Sequence, residues 1–295
     1  MTRVAVVGTG RMGGAMAARL RAGGVEVTVF NRTADRAAAV AERTGADLAP
    51  TARDAVAAAD VVLVSLADDA ACEAAYDGPD GIVAGVRGGT LVADTSTIDP
   101  RTAVRLGDLV RGAGGAHLDA PVSGSVPSVE RGELAILAGG DAADLDRARP
   151  VLDHLATRIF HVGPAGAGAI VKLAVNGIVH AINQAVSEAL VLAEAAGVAR
   201  STAYDVFAAS AAGAPFVQYK RPAFENPQGT AAAFTLDLVG KDLDLILGLA
   251  ERSGVTMTQA ATNRAAVADA VAAGFGGRDM SAMAEHLRGR GRPSR

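Results

Sequence analysis

The 295-residue chain has one cysteine, no tryptophan and only three lysines among its 28 basic residues. A single cysteine, Cys72, excludes an intrachain disulfide and fits a reducing, cytoplasmic setting. Seven Phe, three Tyr and a net charge of −4 supply neither the basic face nor the stacking rings that a nucleic-acid surface needs. The five histidines show no i, i+4 pairing and no acidic or cysteine companions, so no metal site is expected. The opening "MTRVAVVGTG" lacks the charged, apolar and cleavage regions of a signal peptide. Residues 168–196 are long enough to span a bilayer, but Lys172, Asn176, His180, Asn183, Gln184 and Glu188 interrupt them. Each of these is costly in lipid, so a buried helix of a soluble protein without a membrane partner is expected.

What is present is an alternation. "RVAVVG" (3–8), "VEVTVF" (25–30), "VVLVSL" (61–66), "TLVAD" (90–94), "LAILA" (134–138) and "RIFHV" (158–162) read as strands. Residues 11–22, 33–44, 51–58, 100–112 and 141–155 read as helices between them, and Cys72 lies in a further alanine-rich helical stretch. Continuous apolar strands alternating with helices indicate a parallel α/β sheet covered on both faces. After the breaker-rich "GPAGAGA" (163–169) strand patterns vanish, and the chain looks helical from residue 170 to about 287. The expected domains are 1–163 (α/β, doubly wound) and 164–288 (all-α, entered by a long helix), with 289–295 a disordered tail.

"VAVVGTGRMGGAMAARL" places Gly8, Gly10 and Gly13 in a G-x-G-x-x-G array between the first strand and a helix. The first glycine permits a tight turn, the second lets a pyrophosphate approach the backbone, and the third lets helix and strand pack closely. Thr9, Arg11 and Met12 complete this loop as expected cofactor contacts. An NAD site wants an acidic residue at the end of the second strand, and here the strand ends in Asn31, Arg32 and Thr33. An amide, a guanidinium and a hydroxyl suit a 2′-phosphate, so NADP is favoured, with NAD still possible. A solvated loop with Thr33 as helix N-cap is the structural alternative.

Three more stretches carry polar groups at carboxyl ends of strands, where doubly wound sheets bind ligands. These are "SLADD", with Leu66 and Ala67, then "DTSTIDP", with Thr97, and "DAPVSGSVPSVERGEL" (119–134). In the last, Ser123, Gly124 and Ser125 can present N–H groups and hydroxyls to a small carboxylate, or form a plain surface turn. Lys172 and Asn176 are four apart in the long helix, and His180 and Asn183 continue the same stripe. Arginine cannot give up its proton near neutral pH, whereas a desolvated lysine can, which suits Lys172 to acid/base work on an alcohol or carbonyl. The alternative is a lysine that snorkels, supported by an amide. Lys241 can close over the nicotinamide side or pair with Asp237 or Asp242, and Lys220 reads as structural.

"GTGRMGGAMAARL", "DTSTIDP", "DAPVSGSVPSVERGELAILAGG", "GAGAIVKLAVN" and "KDLDL" together resemble the β-hydroxyacid dehydrogenase family over residues 3 to 287. That family includes 3-hydroxyisobutyrate dehydrogenase, tartronate semialdehyde reductase and the glyoxylate/succinic semialdehyde reductases. The resemblance implies a Rossmann domain, a helical domain of the 6-phosphogluconate dehydrogenase type, and homodimers or homotetramers built through the helical domains. It implies Lys172 as the catalytic lysine with Asn176 its helper, and Ser123 and Gly124 as the substrate-carboxylate loop. Thr97 and Lys241 become cofactor contacts, and Phe234 and Asp242 fall near the substrate. The dehydrogenases commonly have "SGG" where Ser125 makes this chain "SGS"; with "NRT", this resembles the semialdehyde reductase branch. That branch tends to carry a lysine next, and this chain has Val126. The expected activity is hydride transfer between NADP and a small hydroxy acid or semialdehyde. Imine reductases resemble the chain in fold and cofactor loop but lack a lysine at position 172, and a non-catalytic NADP-binding protein is the remaining alternative.

Overall fold

The apolar runs become strands buried on both faces. The computed structural model describes residues 2–290. In it, β1 (Arg3–Val7), β2 (Glu26–Phe30), β3 (Asp47–Leu48), β4 (Val61–Val64), β5 (Leu91–Asp94) and β6 (Ala116–Asp119) run parallel in the order β3-β2-β1-β4-β5-β6. Val4, Val6, Leu63 and Ala93 enter one core cluster, while Ala5, Val7, Val62, Val64 and Val92 enter another. Successive side chains point to opposite faces, so two covered faces require an unbroken apolar run. The flanking helices are α1 (Arg11–Ala22), α2 (Ala34–Thr44), α3 (Ala52–Ala57), α4 (Asp69–Tyr76), α5 (Ile82–Gly85) and α6 (Pro100–Gly112).

The far end of the sheet departs from the parallel expectation. The stretch 119–134, read as a loop, contains the two-residue strand β7 (Val122–Ser123) and the six-residue helix α7 (Val126–Arg131). Strand β8 (Leu134–Gly139) runs antiparallel to β6 and β7. Helix α8 (Ala142–Leu152) then leads to β9 (Ala156–Gly163), which lies parallel to β8.

Two compact units, Met1–Lys172 and Leu173–Arg295, divide the chain. The division falls inside helix α9 (Ala167–Ala195), whose first turn is hydrogen-bonded to the sheet through Asp119. The second unit adds α10 (Arg200–Ala209), α11 (Pro215–Glu225), α12 (Leu236–Arg252), α13 (Thr258–Ala270) and α14 (Met283–Arg290). A π-type turn (Val271–Phe275) and a 3-10 turn (Met280–Ala282) link the last two. Residues 289 and 290, expected in a disordered tail, continue α14 because its last turn is helical through Arg290; residues 291–295 lie outside the described residues.

Helix α9 is long and apolar enough to cross a membrane by length and composition, yet polar residues are buried on it beside Leu173, Val186 and Leu190. Asn176, His180, Asn183 and Ser187 recur at alternating spacings of four and three and are at least nine-tenths buried. The expectation of a largely buried apolar helix needs correction: Ile178 is 63% exposed and Leu192 71%. In the second unit, Lys220 is also buried, and its ammonium lies 2.7 Å from both oxygens of Asp279. Asp279 accepts from the N–H groups of Ala233, Phe234 and Ser281, so this pair ties the segment before α12 to α11. Removing one partner of a buried ion pair leaves the other charge uncompensated, at a cost of about 3–5 kcal/mol. Lys220→Met is expected to lose stability in that range in urea unfolding, and a loss below about 1 kcal/mol would remove the pair from this role.

Candidate active site

Strand order reverses between β1 and β4, and the crevice at their carboxyl ends is where open α/β sheets take ligands. Gly8 follows β1 with φ +97°, and a Cβ there would stand 2.3 Å from the Ser65 carbonyl oxygen. A Cβ on Gly13 would stand 1.9 Å from the Gly8 carbonyl oxygen, so α1 reaches the strand only through a glycine. A Cβ on Gly10 would meet nothing within 4 Å, which leaves open space beside the start of α1. The helix has no side-chain cap and no acidic residue in its first turn, so its N–H groups present the positive end of the helix dipole. The buried Thr9 hydroxyl has no partner among the described residues. These features fit a dinucleotide pyrophosphate.

The sequence offered Asn31, Arg32 and Thr33 to a ribose phosphate, and the structure separates their parts. Asn31 Oδ1 accepts from the Thr9 N–H at 3.1 Å, and its Nδ2 donates to the Thr33 carbonyl at 3.1 Å. Asn31 thus ties the glycine loop to the turn after β2. Thr33 stands at the N-cap of α2, but its side chain makes no capping hydrogen bond. Arg32 is exposed and enters no ion pair among the described residues. Arg11 is exposed at the first position of α1, and Met12 packs against the core.

The next strand ends are pinned to each other. The Ser96 hydroxyl accepts from the Leu66 N–H at 3.0 Å, and the Ser96 N–H donates to Asp94 Oδ1 at 2.9 Å. Ala67 follows Leu66 and is exposed, and Thr97 follows Ser96 half-buried. Beneath them the Tyr76 hydroxyl donates to Asp94 Oδ2 at 2.9 Å and lies 3.3 Å from His117 Nε2. Burial raises the Asp94 carboxyl and the Tyr76 hydroxyl above their ordinary values. Burial, followed by the charge of Arg111, holds the His117 imidazole down at about 3.

In the 123–125 segment, Gly124 has φ +143°, and a Cβ there would stand 2.6 Å from Leu134. Ser123 ends β7 half-buried. The Ser125 N–H donates to the Ser128 hydroxyl at 3.2 Å, so this amide is committed within α7. Asp119, at the end of β6, accepts from the N–H groups of Gly166 and Ala169 at the start of α9. Lys172 is half-buried one turn further on and closes the first unit.

In the second unit Asn176, His180, Phe234, Lys241 and Asp242 come together. Asp242 is fully buried, and its Oδ2 accepts from Asn176 Nδ2 at 2.6 Å, with His180 Nε2 at 3.4 Å. Lys241 Nζ lies 3.0 Å from Asp242 Oδ1, which realises one of its two sequence alternatives. Burial acts to raise the Asp242 carboxyl, but His180 and Lys241 more than offset it and hold the group below its ordinary value. The Phe234 and His180 rings are tilted, with centroids 6.0 Å apart. Lys241 also lines a cavity of about 680 Å³ with Asp237, Asp244 and Arg264.

Sequence reasoning missed three parts of this arrangement. Asp119 and Asp94 were quoted within motifs but given no role, since their partners lie elsewhere in the chain. His180 was placed on the stripe, but its carboxylate lies on another helix. The alternating polar spacing along α9 was the available signal that the stripe meets polar partners.

Residues 3–163 match the model of the NAD binding domain of 6-phosphogluconate dehydrogenase. Residues 166–287 match the model described as NAD-binding of NADP-dependent 3-hydroxyisobutyrate dehydrogenase. Glyoxylate/succinic semialdehyde reductase 1 of Arabidopsis thaliana is 33% identical, over 97% of this chain and 98% of its own. The 3-hydroxyisobutyrate dehydrogenase of Pseudomonas aeruginosa is 35% identical over 85% of this chain and 86% of its own. The structure of Mycobacterium tuberculosis 3-hydroxyisobutyrate dehydrogenase with L-serine superposes with a TM-score of 0.85, at 33% identity, covering 98% and 99% of the two chains. An imine reductase from Pseudomonas sp. gives a TM-score of 0.65 at 21% identity over 97% and 99% of the chains, a likeness of fold alone.

The buried His117 makes stability depend on pH. Its unfolded imidazole titrates near 6.5 and its folded one near 3, so acid adds a proton to the unfolded chain first. Its contribution is fully present above about pH 6.5 and is lost as pH falls towards 3, at on the order of 1 kcal/mol per pH unit. Asp94 works in the opposite sense, because its raised carboxyl takes its proton earlier in the folded protein. His117→Gln is expected to flatten the fall of Tm between pH 6.5 and 4, and an unchanged slope would exclude this histidine as the cause.

Proposed function

The chain belongs to the β-hydroxyacid dehydrogenase family, an NAD(P)-dependent oxidoreductase acting on CH–OH, and we propose that it is an NADP-preferring reductase of small carboxylate-bearing semialdehydes, working reversibly on the matching hydroxy acids. The observation that carries this reading is Lys172, a half-buried lysine in the unit that also carries the glycine loop. Bound nicotinamide supplies the hydride. Lys172 donates the proton to the carbonyl oxygen as it becomes an alkoxide, and takes it back in the oxidative direction. Asn176, one helical turn on, has its Nδ2 held by Asp242, which fixes the amide and leaves Oδ1 as an acceptor for the reacting groups.

The Ser123 hydroxyl and the Gly124 N–H hold the carboxylate, with Ser125 shaping the segment through its bond to Ser128. Anchoring the substrate at that remote group orients the reacting carbon and excludes unproductive poses. The family resemblance assigns Phe234 and Asp242 to the substrate and Lys241, which pairs with Asp242, to the cofactor. Arg32 and the uncommitted Thr33 hydroxyl take the 2′-phosphate, while residues 8–13, Leu66, Ala67 and Thr97 take the rest of the dinucleotide. Exposed apolar side chains on α9, Ile178 and Leu192 among them, offer area for a second copy, which supports a homodimer or homotetramer, placed by this reading in the cytoplasm.

Two measurements test this reading. NADPH should bind more tightly than NADH, and Arg32→Ala should erase about tenfold of that preference, as expected of one charge-assisted contact at an exposed site. Equal affinity of the parent protein for both cofactors would sink the NADP assignment. Lys172→Arg keeps the charge but cannot exchange a proton near neutral pH. With NADPH and a panel of semialdehydes and imines, it should turn over about 10²–10⁴-fold more slowly while binding NADPH normally. Turnover near the parent rate would end the acid/base assignment, and imine reduction without semialdehyde reduction would overturn the substrate class.

A further inference from the structure

Asp119 is 3% exposed at the end of β6 and enters no ion pair among the described residues. Its Oδ1 accepts from the Gly166 N–H at 2.8 Å and its Oδ2 from the Ala169 N–H at 2.9 Å. An ordinary helix cap comes from the residue just before the helix. This one comes from 47 and 50 residues earlier in the chain, across the edge of the sheet.

The surrounding backbone is shaped to bring the carboxylate there. A Cβ on Gly168 would stand 2.4 Å from the Asp119 carbonyl oxygen and 2.3 Å from that of Leu137. A Cβ on Gly139, the residue paired with Asp119 between β6 and β8, would stand 2.6 Å from Asp119 Oδ1. Strand ends and helix start are thus in contact without intervening side chains. Burial pushes the Asp119 carboxyl up, and the amides of Gly166 and Ala169 pull it back, so the site opposes the burial cost with helix-end dipoles. Such a costly arrangement is more than a cap needs, since a serine or aspartate beside the helix would serve. What it adds is location: Lys172 begins the turn after Ala169 and is fixed to the sheet that carries the glycine loop.

We propose that Asp119 is the positioning residue for Lys172, clamping the first turn of α9 so that the ammonium is held where it delivers its proton. This rests on the acid/base assignment of Lys172. Asp119→Asn keeps size and one acceptor but sets an amide donor against the second N–H. With NADPH and the best semialdehyde, kcat should fall about 10–100-fold, while the NADPH Kd stays within about threefold. The solvent deuterium isotope effect on kcat should rise, because proton delivery becomes the slow step. A loss of folded protein lowers kcat without moving an isotope effect, so this readout separates position from stability.

Should Asp119→Asn not fold, Asp119→Glu carries the test: it keeps the charge while its extra methylene moves both oxygens, and the same two changes are expected. Parent-like kcat and isotope effect in a folded variant, with only Tm lowered, would reduce Asp119 to a structural cap and overturn the proposal. Lys172→Arg, measured alongside, separates the failures. If it is inactive while Asp119→Asn is normal, only the Asp119 proposal falls. If it retains turnover, the acid/base reading falls and takes the clamp with it.

Discussion

A carboxylate withdrawn from water must find charge or dipoles to replace its hydration, and in the first unit Asp119 finds them at the start of α9. Much of the local architecture follows from this one arrangement. Helix α9 can begin only where its first amides reach the end of β6, and Gly139 and Gly168 are glycines because the approach leaves no room for a Cβ. The antiparallel pairing of β6 with β8 runs through Asp119 and Gly139 themselves, so the departure from a parallel sheet occurs at the same spot. The unit division falls after Lys172, within the helix this carboxylate starts.

Other buried carboxylates are met by different means, and the difference matches what each must hold. Asp94 binds a hydroxyl and an amide and joins the ends of β4 and β5 through Ser96. Asp279 and Asp242 each meet a lysine, which uses two of the three lysines in the chain. The Asp279 pair holds backbone, through three amides before α12 and in the 3-10 turn. The Asp242 group holds side chains, among them the Asn176 amide that serves the proposed chemistry. Arginine handles much of the exposed pairing, as with Arg264 and Asp244, where its forked geometry suits a carboxylate in water.

The glycine loop shows how local and distant constraints share one segment. Gly8 and Gly13 are required by backbone contacts within a few residues, whereas Gly10 is defined by space that a ligand would fill. Asn31 then joins the loop to the next strand through Thr9. A residue read as a ribose contact therefore already has a structural task, and the proposed phosphate contact is left to Arg32 and Thr33.

The sequence by itself determined the periodic and the local. Continuous apolar runs such as "VVLVSL" required strands covered on two faces, and "GTGRMGG" required a tight strand-to-helix turn, because each depends on neighbours in the chain. The motif set carried the family, and Lys172 with Asn176 lay on one helix face by spacing alone. Tertiary structure alone decided the partners of buried polar groups. The ligands of Asp119 lie 47 and 50 residues away, and Asp242 and Asn176 are separated by 66. It also decided which side of α9 is buried: Asn176, His180 and Asn183 are enclosed together with Leu173, Val186 and Leu190, while Ile178 and Leu192 stay exposed. Hydropathy scores a residue by its own transfer cost, and a buried amide or imidazole is tolerated only when a partner elsewhere in the chain compensates it, a fact that no local pattern encodes.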